Sequence, residues 1–160
     1  MNQKDYARLD TYVSSYIQSA STELTIYSDS PALNAILSYY ESLCRDRNIR
    51  TEFSLKLPDQ LPISEQDLCV MMGNLLENAV NGCIECGSRD EITVNLRMKK
   101  EKLVIVCSNP CKTDLVIEDD IIKPKGTGIE SILMAIDKYD GNIRYQMEDG
   151  ILTACVILNC

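Results

Sequence analysis

Residues 68–86 read LCVMMGNLLENAVNGCIEC and have the pattern of a long helix. Apolar residues recur at the three- and four-residue spacing of an amphipathic α-helix, and they are Leu68, Met72, Leu75, Leu76, Ala79, Cys83 and Cys86. A polar stripe on the opposite side consists of Asn74, Asn78, Asn81 and Glu85. Asn is a poor helix former because its amide competes for nearby backbone groups, and no Lys or Arg occurs between residues 64 and 88. The stripe is therefore either a binding surface or the solvent-exposed side of an ordinary core helix, and the pattern of this helix alone does not favour either interpretation.

Composition and charge restrict the classes of protein to which the chain can belong. With 160 residues, 45% of them hydrophobic, the chain is long and apolar enough for one domain with a proper core. A net charge of −8 argues against a nucleic-acid-binding surface and against binding to an anionic membrane. No apolar run approaches the roughly 20 residues that span a bilayer, and the polar start does not resemble a signal peptide. We therefore expect a soluble, cytoplasmic chain, which is compatible with the cytoplasmic portion of a membrane-anchored parent.

Cysteine and histidine usage restricts the chemistry further. Most of the eight Cys lie inside apolar runs, where a reduced thiol behaves as a small buried hydrophobe. Cys83 and Cys86 form a CxxC that could share a zinc ion with two later thiols. We disfavour that site because this pair lies in mid-helix, and because Cys107 and Cys111 have the wrong spacing for a second zinc knuckle. The absence of His excludes His-based metal sites, Ser-His and Cys-His triads, and phosphohistidine on this chain.

The rest of the chain alternates helices with strand pairs. Periodicity, caps and turn residues predict helices at 5–20, 31–48, 64–86 and 126–139, and strands at 50–57, 91–98, 103–107, 143–147 and 151–158. Ser30 and Pro31 suit the N-cap and first position of the second helix. Ser64, with Asp67 three residues later, resembles a capping box that begins the third helix, and Gly87 suits the end of that helix. This order favours an α+β fold, a two-layer sandwich with helices packed on one mixed, largely antiparallel sheet. We divide the chain into an N-terminal helix and connector, residues 1–29, and one domain, residues 30–160.

Two further polar segments could carry chemistry. Ser108, Asn109 and Pro110 follow a buried strand, where an amide or hydroxyl could bind a planar polar ligand, although a β-turn start is the simpler alternative. Residues 123–128 (KPKGTG) open a helix, whose free N–H groups, close-approach glycines and two Lys indicate an anion site. A flexible helix entry is the alternative there. The Asn amide oxygens of the stripe would suit Mg²⁺.

Taken together and in this order, the three segments resemble the Bergerat-fold ATPases of the GHKL group, which includes gyrase, heat-shock chaperones, histidine kinases and mismatch-repair proteins. Residues 74–79 (NLLENA) look like the N box of that group, and residues 125–129 (KGTGI) look like its second Gly box. The resemblance extends from about residue 31 to the end of the chain. The nearest likeness is to the catalytic domain of sensor histidine kinases of the quorum-sensing peptide-receptor class, in which a helix beginning like residues 30–37 (SPALNAIL) is also found.

The resemblance implies a site for ATP and Mg²⁺. Asn74 and Asn78 would be the catalytic residues, with Asn78 holding Mg²⁺ on the ATP phosphates and Asn74 on the phosphate side. The other ATP-binding residues implied by the two boxes are Asn81, Lys125, Gly126, Thr127, Gly128 and Ile129. The backbone from Gly126 to Gly128 would cradle the phosphates, and catalysis would rest mostly on positioning and charge neutralisation.

The chain departs from the GHKL pattern at the adenine end. The usual first Gly box, Asp-x-Gly-x-Gly, is absent, and residues 107–110 (CSNP) stand in its place. The Asp of that box normally receives the adenine amino group, so Asn109 or Ser108 would have to do so here. The segment that would cover the site, residues 111–125, is short, so we expect weak ATP affinity.

The resemblance implies a function that this chain cannot complete alone. An ATP-binding catalytic domain of a two-component sensor histidine kinase would transfer the γ-phosphoryl group to a His on a separate dimerisation segment of the parent kinase, with a response regulator as the later partner. Residues 5–20 could be the tail of that segment and could pair with a second copy of the chain. Two alternatives stay open. One is an anti-sigma-type serine kinase and binding protein of the same fold, and the other is a degenerate interaction domain that no longer binds ATP.

Overall fold

The structure is a computed structural model of the chain. It describes residues 25–112, 117–118, 121–122 and 127–160, together with the four single residues Ala7, Asp10, Thr11 and Ser14. Those four are helical and exposed, and the rest of the helix predicted at residues 5–20 lies outside the described residues. In the part of the chain that the structure describes, no helix is both long enough and apolar enough to cross a membrane.

Three helices form one layer of the fold. They are α1 (Pro31–Asp46), α2 (Glu65–Cys86) and α3 (Thr127–Lys138). Ser30 caps α1 by accepting a hydrogen bond from the Leu33 backbone N–H at 3.0 Å. Ser64 caps α2 in the same way, and Gly87 ends α2 in the left-handed conformation with a φ of 70°. These are the helix ends that the sequence predicts.

Five strands form the second layer. They are β1 (Thr51–Lys56), β2 (Ile92–Lys99), β3 (Lys102–Pro110), β6 (Asn142–Glu148) and β7 (Ile151–Asn159), and two short strands, β4 (Ile117–Glu118) and β5 (Ile121–Ile122), pair with each other separately. The order in the main sheet is β1-β2-β3-β7-β6. Strand β1 runs parallel to β2, and the other neighbours are antiparallel. The predicted α+β two-layer sandwich is therefore confirmed, whereas β4 and β5 lie where the sequence predicts only a loop.

The core lies between the helices and one face of the sheet. Side chains alternate along β3, so that Leu103, Ile105 and Cys107 are buried while the residues between them are partly exposed. Helix α2 lies at the centre of this layer and contacts α1, α3 and β3. Its apolar side, which includes the fully buried Leu68 and Met72, packs into the core. The polar side of α2 is thereby held next to α3 and the end of β3.

A polar contact joins the N-terminal end of α2 to the C-terminal end of α3. Lys138 Nζ lies 2.6 Å from Asp67 Oδ2, and Tyr139 OH donates to the same oxygen at 2.6 Å. The Ser64 backbone N–H donates to Tyr139 OH at 2.9 Å. Partial burial pushes the pKa of Asp67 up, but the hydrogen bonds from Lys138 and Tyr139 outweigh burial and hold this pKa below its usual value of 3.8.

The contact at Asp67 should make the stability of the domain depend on pH. Because the folded-state pKa of Asp67 is lowered, its stabilisation is present above about pH 4 and is lost as pH falls through the folded-state pKa. We expect Asp67→Asn to lower the free energy of unfolding by about 1 kcal/mol at pH 7, and this difference should disappear as pH falls through the folded-state pKa of Asp67. Urea unfolding of both proteins across this pH range measures the difference. Asp137→Asn, at an exposed position of α3, is the control, and a difference for Asp67→Asn that stays constant with pH would contradict the prediction.

Candidate functional site

Three residues of α2 form a strip along one side of the helix. Asn74, Asn78 and Gly82 follow one another at intervals of four residues, which places them on the same side. Eight residues at a rise of 1.5 Å give the strip a length of about 12 Å. Asn74 is buried, with 3% of its surface exposed, Asn78 is exposed, and Gly82 is buried. The strip therefore has an open middle between two closed ends.

The first turn of α3 closes the Asn74 end of the strip. Asn74 Nδ2 donates to the Val70 backbone oxygen at 2.9 Å, which orients the amide. A Cβ atom on Gly128 would lie 3.0 Å from Asn74 Oδ1, so the α3 backbone approaches this amide more closely than most side chains allow. The N-terminal end of α3 therefore lies beside Asn74, and the backbone N–H groups at a helix N-terminus favour anions.

The structure describes only part of the predicted anion segment. Lys125 and Gly126 lie outside the described residues. Thr127 is the first residue of α3, and Gly128 and Ile129 follow it in the first turn, both half-buried. The predicted Gly box is thus brought to the predicted N box at Gly128.

The end of β3 closes the Gly82 end of the strip. Asn109 is buried, with 5% of its surface exposed, and its Nδ2 donates to the Pro110 backbone oxygen at 2.8 Å. A Cβ atom on Gly82 would lie 2.6 Å from Asn109 Nδ2 and 3.3 Å from that same oxygen. The Asn109 amide therefore packs directly on the bare backbone of α2 at Gly82.

Ser108, the other predicted candidate at the adenine end, points away from the strip. Neighbouring residues of a strand face opposite sides of the sheet, and Asn109 shares the helix side with the buried Cys107. Ser108 Oγ lies 2.9 Å from Thr153 Oγ1 of β7, on the other side of the sheet. The structure brings Asn109 to the strip and does not bring Ser108 there.

Asn81 lies on a different flank of α2 from Gly82. It is exposed and lines a groove of about 200 Å³ between α1 and α2, together with Tyr39, Tyr40 and Ile84. The predicted stripe therefore divides in the structure. Asn74 and Asn78 belong to the strip, whereas Asn81 lies at the edge of the α1–α2 groove.

Gly82 is the one member of the strip that the sequence analysis missed. A glycine inside a helix costs about 1 kcal/mol relative to alanine, so its presence at an interior helix position signals a close approach by another group. That signal was available one turn after Asn78. Which group approaches Gly82 could not be read from the sequence, because Asn109 is distant along the chain.

The thiols near the strip belong to the core. Burial raises the pKa of the Cys83 and Cys107 thiols to about 12, so both stay protonated near neutral pH. Within the described residues no three or more His, Cys, Asp or Glu side chains are grouped so that they could hold a metal ion. Among the described residues, the polar groups of the strip and its two ends are side-chain amides and backbone groups.

The arrangement suits a ligand that is anionic at one end and planar and polar at the other. Anionic groups fit the α3 end, where the helix N-terminus lies beside Asn74. The exposed Asn78 amide lies in the middle and can offer a neutral oxygen to a hydrated divalent cation. A planar group with hydrogen-bond donors fits the Asn109 end, where a buried amide is available.

Comparison with known protein families matches the GHKL domain to residues 63–159. The matched range contains α2, α3 and four of the five strands of the main sheet. It therefore includes every residue of the strip and both of its ends. A search of curated proteins finds no relative of this chain.

The fold is similar to those of solved histidine kinases. The catalytic domain of histidine kinase ThkA gives a TM-score of 0.63 at 16% sequence identity, over 79% of this chain and 90% of that one. Histidine kinase AdeS of Acinetobacter baumannii gives a TM-score of 0.61 at 14% sequence identity, over 96% of this chain and 76% of AdeS. The histidine kinase domain of a blue-light activated histidine kinase from Erythrobacter litoralis gives a TM-score of 0.69 at 8% sequence identity, over 97% of this chain and 74% of that one. These identities support a likeness of fold alone, whereas the family match extends over more than half of the sequence, so the chain belongs to the GHKL domain family.

Proposed function

We propose that this chain is the ATP-binding catalytic domain of a two-component sensor histidine kinase. It binds Mg·ATP and transfers the γ-phosphoryl group to a His that is not part of this chain. The observation that carries the proposal is the strip on α2, which joins a helix N-terminus suited to phosphates with a buried amide suited to a base. About 12 Å of helix separates these two ends, which leaves room for a nucleotide along the strip.

Asn74 and Asn78 are the proposed catalytic residues at the phosphate end. The exposed Asn78 amide oxygen is a neutral hard ligand of the kind that Mg²⁺ takes beside substrate phosphates, so the residues present fit this cation. When bound, Mg²⁺ would neutralise charge on the phosphates. The remaining proposed phosphate contacts are Lys125, Gly126, Thr127, Gly128 and Ile129.

Asn109 is the proposed adenine contact. Its amide faces the strip, whereas the Ser108 hydroxyl faces the other side of the sheet, so the geometry favours Asn109. An amide oxygen can accept a hydrogen bond from the adenine amino group. Asn81 is a weaker candidate for a contact with ATP because it lines the α1–α2 groove.

The protein's part in phosphoryl transfer is to position and to neutralise. The imidazole nitrogen of the acceptor attacks the γ-phosphorus, and the bond from that phosphorus to the β–γ bridging oxygen breaks, which leaves ADP. The groups on α2 and α3 hold the triphosphate so that this line of attack faces the acceptor. Because this chain contains no His, its proposed partners are the phosphoacceptor segment of the parent kinase and then a response regulator.

The wider setting of the parent kinase is also part of the proposal. Residues 30–37 favour the quorum-sensing peptide-receptor class, and we place the chain in the cytoplasmic portion of a membrane-anchored parent. Residues 5–20 would then be the tail of the dimerisation segment, through which the chain could form a homodimer.

An ATP titration tests the proposal. We expect the protein to bind a non-hydrolysable ATP analogue with a dissociation constant that falls at least about tenfold when Mg²⁺ is added, since Asn78 would hold this cation and its charge would offset that of the phosphates. Asn78→Ala should remove most of this dependence on Mg²⁺. Isothermal titration calorimetry with and without Mg²⁺ measures both effects. Absence of binding would favour the degenerate interaction domain instead.

The chain contains no His, and an anti-sigma-type serine kinase would explain this absence, so it is a second candidate function. The two activities leave chemically different products, because phosphohistidine is acid-labile and alkali-stable whereas phosphoserine is acid-stable. Incubation of the protein with labelled Mg·ATP and a separate segment that carries the acceptor His should give an acid-labile product. An acid-stable product on a protein substrate would support the serine kinase.

A further inference from the structure

We infer that Gly82 is a positioning residue: it gives the Asn109 amide the room to turn its oxygen toward the base, so that the site prefers 6-amino purines to 6-oxo purines. This inference rests on the proposed function and assigns base selectivity to a helix glycine that touches no reacting atom. It is carried by contacts at Asn109, Pro110 and Gly82.

The first step is the orientation of the Asn109 amide. One of its ends lies 2.8 Å from the Pro110 backbone oxygen. A carbonyl oxygen can only accept a hydrogen bond, so the end that faces it must be the NH₂ group. The amide is thereby oriented, and Oδ1 is the atom left to meet a ligand. Among the described residues no hydrogen bond to Asn109 Oδ1 is present.

The second step is the chemistry of the base. An oxygen acceptor matches the exocyclic NH₂ group at C6 of adenine and opposes the C6 carbonyl oxygen of hypoxanthine or guanine. Asn109 is about 95% buried, so a mismatched acceptor would leave both groups without a partner in a site with little water. A freely rotating amide could present its NH₂ group instead and would accept either base. The hydrogen bond to Pro110 prevents that rotation.

The third step is the role of Gly82. A Cβ atom on Gly82 would lie 2.6 Å from Asn109 Nδ2, which is closer than non-bonded atoms can approach. The Pro110 oxygen at 3.3 Å and Cys111 Sγ at 3.6 Å limit the space on the same side. An alanine at this position would therefore push the NH₂ group away from the Pro110 oxygen and release the amide from its fixed orientation.

Inosine triphosphate is the probe that isolates this effect, because it carries an oxygen in place of the amino group at C6 of ATP. We expect the wild-type protein to bind ATP at least about tenfold more tightly than inosine triphosphate, the effect of one buried hydrogen bond gained against one opposed. In Gly82→Ala this ratio should fall to about threefold or less. A general loosening of the domain would weaken both nucleotides equally and would leave the ratio unchanged.

Three further variants complete the test. Gly87→Ala is the matched control: it makes the same substitution just after the end of α2, with no atom within 4 Å of the new Cβ, so its ATP/inosine triphosphate ratio should equal that of wild type. Asn109→Ala removes the amide without introducing a clash, so this variant should lose the preference for ATP over inosine triphosphate. It keeps the inference testable even where Gly82→Ala does not fold. The double variant Gly82→Ala/Asn109→Ala should have the same ATP/inosine triphosphate ratio as Asn109→Ala alone.

The outcomes separate the two proposals. A wild-type ratio near one with tight ATP binding would overturn the inference and leave the proposed function intact. An unchanged ratio in Gly82→Ala or in Asn109→Ala would do the same. Failure of the wild-type protein to bind either nucleotide would overturn both. A ratio that falls in Gly82→Ala and Asn109→Ala but stays at the wild-type value in Gly87→Ala would support the inference.

Discussion

Replacement of Asn78 by Ala is expected to slow phosphoryl transfer to an acceptor His at least about 100-fold, which corresponds to about 2.7 kcal/mol of lost transition-state stabilisation. Asn78 is exposed in the middle of the strip, between the buried Asn74 and the buried Gly82. Its side chain therefore packs against little, and its removal should cost binding and catalysis much more than folding. The rate of label transfer from γ-labelled Mg·ATP to a separate segment carrying the acceptor His measures the effect.

Two companion variants define what the Asn78 side chain contributes. Asn78→Asp keeps an oxygen that can bind Mg²⁺, so we expect a loss of only about tenfold that shrinks as Mg²⁺ is raised. Asn95→Ala makes the same change as Asn78→Ala at an exposed position of β2, on the side of the sheet away from the helices, and should stay within about twofold of wild type. Equal losses for the Ala and Asp variants of residue 78, at all Mg²⁺ concentrations, would rule out Asn78 as a metal ligand.

Elements with local signals could be predicted from the sequence. The N-caps Ser30 and Ser64 and the C-terminal Gly87 all lie where predicted, because a cap depends on residues within one turn of the helix. The same reasoning applies to the hairpin of β6 and β7, whose turn has Gly150 at a φ of 77°. The order of strands in the sheet depends on contacts distant along the chain, and the edge position of β1 was not predicted.

The candidate site could be predicted in outline but not in its details. Asn81 and Gly82 lie seven and eight residues after Asn74, so helical periodicity places both near the same side of α2. Only the packing of β3 on α2 shows that Gly82 carries the contact with Asn109. Only the position of α1 shows that Asn81 lines the groove between α1 and α2. The choice between Ser108 and Asn109 could have been made from the alternation of β3, since a buried Cys107 places residue 109 on the same side.

The turn that follows α3 explains why this helix has a fixed position at the site. Gly141 N donates to the Ile136 backbone oxygen at 2.9 Å and so ends the helix. The strand that passes beside this turn, β7, is paired with β3 on one side and with β6 on the other, so its backbone has little freedom to move. The turn therefore ties the C-terminal end of α3 to β7, an interior strand of the sheet, while Gly128 at the other end of α3 approaches Asn74.

We expect Gly141→Ala to be among the most destabilising single substitutions in the domain, at about 2–3 kcal/mol. Its Cβ would lie 2.5 Å from the Ile157 backbone oxygen and 2.7 Å from Leu158 Cδ2. Gly87→Ala is the matched control, because its left-handed φ of 70° costs about 1 kcal/mol although nothing lies near the new Cβ. Urea unfolding should therefore give Gly141→Ala a lower free energy of unfolding than Gly87→Ala. The reverse order would contradict the close contact between Gly141 and β7.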